Sequence, residues 1–279
     1  MGNHFVPQFY LHGFTSDKAI WAHDKLEMRS FASQPKSIAN ETGMYSDELE
    51  NYFTIQVEQP AEDAIRKIRL QQPLSSGDKN ALAKYMAALW KRGPKGRNRV
   101  VDRLPEVAST VQEDLYNRID ALSVIDPELH DWADAKKAQV AEIIQRNVDQ
   151  NSTELWQKLL FSEATPRIIE AMESMNWQFL IADGQSYLTS DNPLFFFSEE
   201  GIGPAHAEVT IPFSSNVALW MNRDPTLKPL YATATATYVK EINRRTVHNS
   251  VRFAFSATNE SWMLNFVCKP KHQLSHLPW

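Results

Sequence analysis

A histidine stands among aromatic residues at the start of the sequence, in the stretch NHFVPQFYLHGF from Asn3 to Phe14. A histidine held in rigid surroundings could act as a general base, contact a phosphate or bind a metal. The aromatic shell would remove water from the His4 ring and shift its pKa. The simpler interpretation is that His4 caps the short helix that follows. On the functional interpretation, Asn3 and Tyr10 contact the substrate.

A second polar cluster lies in the stretch YLTSDNPLFFF, from Tyr187 to Phe197. Asn192 precedes a proline, which keeps it out of the α-helical region. One interpretation is a turn in which Asp191 accepts backbone N–H groups. The other is a carboxylate at the end of a buried strand, where it binds a metal or positions a water, with Ser190 and Asn192 contacting the substrate. The sequence leaves both interpretations open.

An acidic segment extends from Glu41 to Asp63 and contains no Lys or Arg. A run of like charge is usually a solvated face. Glu58 and Glu62 share a helix face if the proline between them only marks a first helical turn. With Asp191 they would supply the oxygen ligands that Mg²⁺ or Mn²⁺ prefers. The functional interpretation therefore assigns His4, Asp191 and Glu58 to catalysis. It assigns Glu58, Glu62 and Asp191 to a divalent metal.

Positive charge is concentrated in the segment KRGPKGRNRVVDR, from Lys91 to Arg103. The Gly93-Pro94 pair predicts a loop between two helices. A basic loop attracts phosphates, so Arg97 and Arg99 are predicted to contact a nucleic-acid backbone. The alternative is an exposed helix junction whose arginines pair with nearby acids.

Other histidines carry weaker signals. In NRRTVHNSVR, His248 follows Arg244 by four residues, a spacing that some ribonucleases use and that one helix face would share, although the pattern is short and common. His272 and His276 are also four apart, but in a proline-rich tail where a metal-binding helix is not expected. The histidines predicted to lie on the surface are His12 and His23.

The composition bounds the class of protein. The chain has 279 residues, of which 43% are hydrophobic and 23% charged, values typical of one large globular domain. A formal net charge of -5 argues against a nucleic-acid coat but allows a local basic groove. The single cysteine, Cys268, cannot form an internal disulfide and suits a reducing cytoplasm. No apolar run is long enough to span a membrane, so we expect a cytoplasmic protein without a membrane partner.

The periodicity of the apolar residues changes near residue 175. Between 46 and 175 they recur at helical spacing, as in SSGDKNALAKYMAALWKR. From 176 to 267, aromatic and β-branched residues predict strands, with WMLNFVC as the last and one helix from about Tyr238 to Asn249. The alternation in Ala19–Lys25 predicts an early strand. Residues Val6–Phe14 predict a short helix that ends at Gly13.

This order of elements predicts an α+β fold, with a large helical middle region and a mixed or antiparallel C-terminal sheet joined by the N-terminal strand. We expect a single domain over 1–279, in which 46–175 form a helical subdomain, 1–45 with 176–267 a sheet subdomain, and 268–279 a tail. The two aromatic stretches then meet, with His4 beside Asp191. The aromatic residues predicted to pack at this contact are Phe5, Phe9, Tyr10, Phe14, Phe195, Phe196 and Phe197.

The order of the motifs NHFVPQFYLHGF, PKSIANETGMY and LTSDNPLFF resembles an uncharacterised, mainly bacterial family, domain-of-unknown-function family 4238. The resemblance covers most of the chain, from His4 to about Phe255. It implies a fold shared over the whole chain and a bacterial intracellular origin. It supplies no reaction, so the site must be argued from residue chemistry.

Two functions of different classes remain. The first is a nuclease-type enzyme, used as a bacterial toxin or in phage defence, with the basic segment binding the phosphate backbone. The second is a non-catalytic protein that holds a ligand or a partner in an aromatic-walled pocket. The motifs of common hydrolases, kinases and dinucleotide-binding enzymes do not occur in the sequence.

Overall fold

The computed structural model describes residues 2–150, 152–160, 164–224, 226 and 229–278. The chain divides into two compact units, one formed by Met1–Lys95 with Glu163–Trp279 and the other by Gly96–Ser162. Helices between 46 and 95 therefore group with the sheets, whereas the sequence pattern groups them with the other helices. The reason is the apolar face of the helix Gln59–Arg69, which buries Ala61, Ala64 and Ile65 in the first unit.

The α+β prediction is confirmed, because helices dominate the middle of the chain and the strands lie mainly towards its two ends. The helices are α1 (Gln8–Leu11), α2 (Asp47–Tyr52), α3 (Gln59–Arg69), α4 (Ser76–Arg92), α5 (Pro94–Ile125), α6 (His130–Gln150), α7 (Ser152–Leu160), α8 (Ala164–Glu173), α9 (Ala236–Asn249) and α10 (Met263–Val267). The strands are β1 (Gly2–His4), β2 (Ile20–Asp24), β3 (Arg29–Ser33), β4 (Asn40–Thr42), β5 (Asn176–Ile181), β6 (Thr189–Ser190), β7 (Phe195–Phe196), β8 (Val209–Pro212), β9 (Val217–Asn222), β10 (Tyr231–Thr233) and β11 (Phe253–Ser256).

The early strand joins the end of the chain, as predicted. Strand β2 pairs antiparallel with both β3 and β11, in a sheet whose order is β3-β2-β11-β6. A second sheet has the order β10-β5-β9-β8-β7 and is antiparallel except where β10 meets β5. The first residues of the chain do not join either sheet, because β1 pairs with β4. His4 is consequently fixed opposite Asn40 and not on the C-terminal sheet.

Two local predictions are wrong. Only Gly93 separates α4 from α5, so the segment Lys91–Arg103 is almost entirely helical and forms no loop. Proline is tolerated at the first position of a helix, where its missing N–H costs nothing, and Pro94 opens α5 in this way. The segment WMLNFVC forms the helix α10 and not a strand, with Met263 and Val267 buried on the same face.

Gly13 does not end the short N-terminal helix, contrary to the sequence prediction, but allows a close contact. The helical turn continues through Phe14, so Gly13 does not end it. A Cβ atom on Gly13 would lie 2.5 Å from Arg69 Nη2 and 2.6 Å from the Phe213 carbonyl oxygen. Arg69 donates hydrogen bonds to the carbonyls of Phe9, Tyr10 and Phe213. Glycine is required here because this guanidinium joins the N-terminal segment to the loop after β8.

His23 lies in the core, contrary to the prediction of a surface residue, whereas His12 is exposed as predicted. The His23 ring bridges two hydroxyl groups, with Nδ1 2.7 Å from Ser30 Oγ and Nε2 2.8 Å from Ser256 Oγ. The ring is fixed in the core by side chains of the two strands that flank β2, Ser30 in β3 and Ser256 in β11. Burial lowers the pKa of His23 to about 4.

This pKa predicts a loss of stability in weak acid. The unfolded chain protonates His23 near its ordinary pKa of about 6.5, and the folded chain only near 4, so the unfolded state binds more protons between these values. The contribution of His23 is fully present above about pH 6.5 and falls by about 3 kcal/mol towards pH 4. Urea unfolding of wild type and His23→Gln between pH 7 and 4.5 measures it. An equally steep pH dependence in both proteins would contradict the assignment, and His12→Gln is the exposed control.

Candidate functional site

The two aromatic stretches meet in the core, as predicted, through Tyr10. The Tyr10 hydroxyl donates to the Pro212 carbonyl at 2.5 Å, and the Thr189 hydroxyl oxygen lies 2.8 Å from the Tyr10 hydroxyl oxygen. Both ends of this bond are buried, and burial raises the pKa of Tyr10 well above its usual range. Tyr10 is therefore a neutral core residue that joins α1 to β6 and β8.

The aromatic residues of the N-terminal stretch have partners other than those predicted. The Tyr10 ring packs against Phe14, Tyr85 and Phe213, with centroid distances of 5.5, 6.3 and 6.4 Å. Phe9 also packs against Tyr85, at 5.6 Å. The sequence favoured the run of phenylalanines after Asp191, whereas α4 supplies Tyr85 between the two motifs.

His4 and Asp191 have separate partners. His4 Nε2 lies 3.3 Å from the Lys36 carbonyl oxygen, and its own carbonyl accepts a hydrogen bond from the Tyr45 hydroxyl. Asn3 is buried and donates to Glu50 at 3.3 Å. These contacts hold β1 against β4 and α2. The sequence predicts His4 beside Asp191, and in the structure the hydrogen-bond partners of the two side chains are different groups.

Asp191 satisfies backbone donors, as the turn interpretation of TSDNP states. Its two carboxylate oxygens accept N–H groups of Val251, Arg252 and Phe253 at 2.7 to 2.8 Å. Burial raises its pKa, while these three bonds and the nearby Lys25 act in the opposite direction. The side chain is 2% exposed, so it is not open to a metal or to bulk water.

The neighbours of Asp191 support the same turn. The Ser190 hydroxyl accepts the Asn192 backbone N–H at 3.2 Å. The Asn192 amide donates to the Asn249 carbonyl, and the Asn249 amide donates to the carbonyls of Asn192 and Leu194. The motif TSDNP therefore fixes the chain that leaves α9, between residues 249 and 253.

The predicted metal ligands do not come together. Glu58 Oε1 accepts a hydrogen bond from Arg92 Nη1 at 2.5 Å, and this guanidinium is buried beside the Phe53 ring. Glu62 lies one helical turn further along α3, and Asp191 is saturated by backbone N–H groups. Within the part of the chain that the structure describes, no three His, Cys, Asp or Glu side chains are grouped so as to hold a metal ion.

The basic segment is divided between different environments. Arg92 is in the core, where its Nε donates to the Phe5 carbonyl at 3.2 Å. Arg97 and Arg99 are partly buried on α5. Burial and the neighbouring Arg103 lower the pKa of Arg99 to about 10. A guanidinium with this pKa keeps its positive charge at pH 7.

A different basic cluster surrounds the end of α9. Lys25 Nζ donates to the carbonyls of Val247 and Ser250, at 2.5 and 3.3 Å, and so caps the C-terminus of the helix. Lys95 Nζ donates to Asn249 Oδ1 at 2.6 Å. Two ammonium groups therefore lie on the turn that immediately follows His248, whose side chain is exposed.

The pKa values of two histidines are lowered by the positive groups gathered at the end of α9. Burial lowers the pKa of His248, and Lys95, Lys25, His272 and Lys271 lower it further. Burial also lowers the pKa of His272, with Lys269, Lys25 and Arg244 acting in the same direction and its bond to the Phe266 carbonyl opposing them. We name this region the His248 surface, and its members are Lys25, Lys95, Arg244, His248, Lys269, Lys271 and His272.

The sequence contained only part of the signal for this surface. The four-residue spacing of Arg244 and His248 pointed to it, and both lie on one face of α9. Lys25 and Lys95 could not be assigned, because they contact the turn across 222 and 154 residues of chain. Asp191 of TSDNP stabilises this turn by accepting its backbone N–H groups.

A comparison with known families finds a match that includes the N-terminal motif and the motif TSDNP. The model of the family described as "Protein of unknown function (DUF4238)" matches residues 3–260 of the 279. The chain belongs to this family. The DUF4238 match contains Asn3 and His4 of β1, the TSDNP motif and His248, and it ends before Lys269 and Lys271. Neither a curated protein nor a solved structure matches the chain significantly. No helix of the described residues is both long and apolar enough to cross a membrane.

Proposed function

We propose that the protein binds a phosphate-containing polyanion, RNA or DNA, at the His248 surface and cleaves it by nuclease-type chemistry. The observation that carries the proposal is the convergence of several basic side chains on one exposed histidine. Lys25 and Lys95 are fixed by hydrogen bonds to the turn. Lys269 and Lys271 are exposed beside them and supply the mobile charges that neutralise a phosphate backbone.

His248 supplies the proton-transfer group. Because its pKa lies below the ordinary value, its ring is neutral at pH 7 and accepts a proton. It takes that proton from the attacking water or ribose hydroxyl while the new P–O bond forms. The bond from phosphorus to the leaving oxygen then breaks, and this oxygen receives a proton from the protonated His248, which returns to its neutral form. The surrounding ammonium groups stabilise the negative charge that develops on the phosphoryl oxygens.

The wider hypotheses rest on this activity. A toxin or phage-defence effector that degrades nucleic acid would act in the cytoplasm, where the free Cys268 stays reduced. Mg²⁺ or Mn²⁺ is part of the same proposal and would enter with the phosphate groups of the substrate. The predicted phosphate contact by Arg97 and Arg99 is tested separately, because they lie in the other compact unit.

The double charge reversal Lys269→Glu and Lys271→Glu is expected to weaken RNA or DNA binding at least tenfold. Each phosphate contact contributes about -0.9 to the slope of log K against log salt on duplex DNA, so losing both contacts should make the slope shallower by about 2. Fluorescence anisotropy with labelled oligonucleotides measures the affinity and its salt dependence between about 50 and 200 mM salt, a range that includes physiological ionic strength. The control reverses two exposed basic residues of the other unit, Arg118→Glu with Lys158→Glu.

Cleavage separates the enzyme from a protein that only binds. His248→Ala should lose about 10²-fold or more of the cleavage rate, with and without Mg²⁺ or Mn²⁺, while oligonucleotide affinity changes little. His12→Ala is the matched exposed control. Equal binding by wild type and the Lys269/Lys271 variant would remove this surface from the interface. If only the variant Arg97→Glu with Arg99→Glu lost binding, the nucleic-acid interface would lie on α5.

The alternative is a non-catalytic protein with an aromatic-walled pocket. Such a pocket would have to lie elsewhere than at the N-terminal aromatic stretch. The aromatic residues of Asn3–Phe14 are packed against Tyr85 and Phe213 in the core and do not wall an open pocket. Binding without cleavage in all variants would favour this alternative class.

A further inference from the structure

A cavity of about 530 Å³ opens beside α9, in the first compact unit. Its volume lies within the range of about 300–1,000 Å³ typical of small-molecule sites. Its walls come from three elements: the turn at residues 184–186, one face of α9, and the segment that ends in α10. It does not include the side chains to which we assign nucleic-acid binding or cleavage.

The helix presents a regular face to this cavity. Ala236, Val239, Lys240 and Asn243 follow the spacing i, i+3, i+4 and i+7, so they form one stripe along α9. Asn243 fixes the opposite wall, because its amide donates to the Ser186 carbonyl and its oxygen accepts the Leu188 N–H at 2.8 Å. These bonds fix the distance between the turn and the helix, so the cavity between them is preformed.

The lining combines an apolar floor with a charged rim. Val239 and Met263 are buried at 2% exposure and form the floor. The Trp262 ring is 47% exposed and packs edge-on against Phe266 at 5.6 Å, so it presents an open aromatic surface at the mouth. Lys240 and Glu260 are exposed lining residues of opposite charge.

This combination selects one class of ligand. An apolar ring gains by leaving water against Trp262 and the aliphatic floor. An anionic group gains at Lys240, whose ammonium group supplies the positive charge among the residues that line the cavity. Glu260 accepts a hydrogen bond from a hydroxyl or amino group of the same molecule.

We propose that this cavity binds a small amphipathic anion that has an aromatic ring, a phosphate or carboxylate group, and a hydrogen-bond donor. This proposal goes beyond the nucleic-acid function and does not depend on it. Binding beside α9 places the ligand on the helix that carries His248 in its last turn. A nucleoside monophosphate is the phosphate form of this chemistry, and an aromatic carboxylic acid is the carboxylate form.

The test is isothermal titration calorimetry on the full chain with four probes: adenosine 5′-monophosphate, adenosine, 4-hydroxyphenylacetate and 4-hydroxybenzyl alcohol. We expect one of the two anions to bind with a Kd below about 1 mM, and at least about tenfold more tightly than its neutral analogue. The preferred anion identifies phosphate or carboxylate as the recognised group. Failure of all four probes at millimolar concentration would overturn the proposal.

Two variants locate the bound probe. Lys240→Gln should weaken the anion about tenfold, whereas Lys84→Gln, an exposed lysine of α4, should leave it unchanged. Ala236→Trp fills the cavity from the exposed start of α9 and should abolish binding while thermal unfolding stays as in wild type. Unchanged affinity in both cavity variants would place the probe elsewhere and overturn the assignment. The variant Lys269→Glu with Lys271→Glu should retain probe binding even if it loses nucleic acid, so the two proposals fail separately.

Discussion

Glu208→Ala is expected to destabilise the protein by about 3–5 kcal/mol, because it leaves a buried guanidinium without its carboxylate. The side chains of Glu208 and Arg245 are both 0% exposed, and Glu208 Oε2 lies 2.6 Å from Arg245 Nη2. Glu241 gives only a distant second contact to Arg245, at 3.7 Å. Urea unfolding at pH 7 measures the free energy of unfolding, and Glu199→Ala is the exposed control.

The same carboxylate also holds the C-terminal tail. Glu208 accepts the Leu277 N–H at 3.1 Å, and Arg245 donates to the Ser275 carbonyl at 2.6 Å. Limited proteolysis of Glu208→Ala should therefore cleave the tail faster than in wild type. Replacing both partners, as in Glu208→Leu with Arg245→Met, should recover part of the stability, since neither charge is then left buried. A loss below about 1 kcal/mol in the single variant would contradict the assigned role of the pair.

Asp191→Ala is expected to cost about 3 kcal/mol or more, because three backbone N–H groups lose their acceptor at once. An unsatisfied buried donor costs about 1–3 kcal/mol, and water can replace only part of the carboxylate at this turn. Asp191→Asn keeps one acceptor oxygen, so its loss should be intermediate. The free energy of unfolding from urea titration measures both variants.

Asp183→Ala is the matched control for this prediction, because Asp183 is an exposed aspartate in the preceding loop. If Asp191 were a catalytic or metal-binding carboxylate, Asp191→Ala would remove activity and leave stability nearly unchanged. That outcome would contradict the scaffold role. A loss of stability together with a weakened His248 surface would support it, since the same turn positions both.

The sequence predicted those elements whose signal is local. The helix α9 was expected from about Tyr238 and begins at Ala236, and the strand β2 lies within the predicted Ala19–Lys25. Amphipathic periodicity and alternation are properties of a few consecutive residues, so they survive without tertiary information. The short helix α10 was missed because five residues are too few to distinguish a helical from a strand pattern.

The contacts between motifs were predicted only in outline. The meeting of the two aromatic stretches followed from their shared composition. The hydrogen bond that joins them is Tyr10 to Thr189, whereas His4 and Asp191 each bond to other groups. Which polar atoms pair depends on packing around α4, and Tyr85 occupies the place given to the phenylalanines. The His248 surface was hidden for the same reason, because Lys25 and Lys95 join it only through long-range contacts.

The pairing of β2 with β11 also sets an order of events during synthesis. His23 and Ser256, which share a hydrogen bond across these strands, are 233 residues apart. At roughly 5–20 residues per second, a ribosome needs about 10 to 50 s to make the intervening chain. The β2–β3 hairpin therefore waits with one edge unpaired while helices of local contacts form first. An unpaired edge is a template for wrong association, so this protein has a period before its last strand emerges in which chaperone protection matters most.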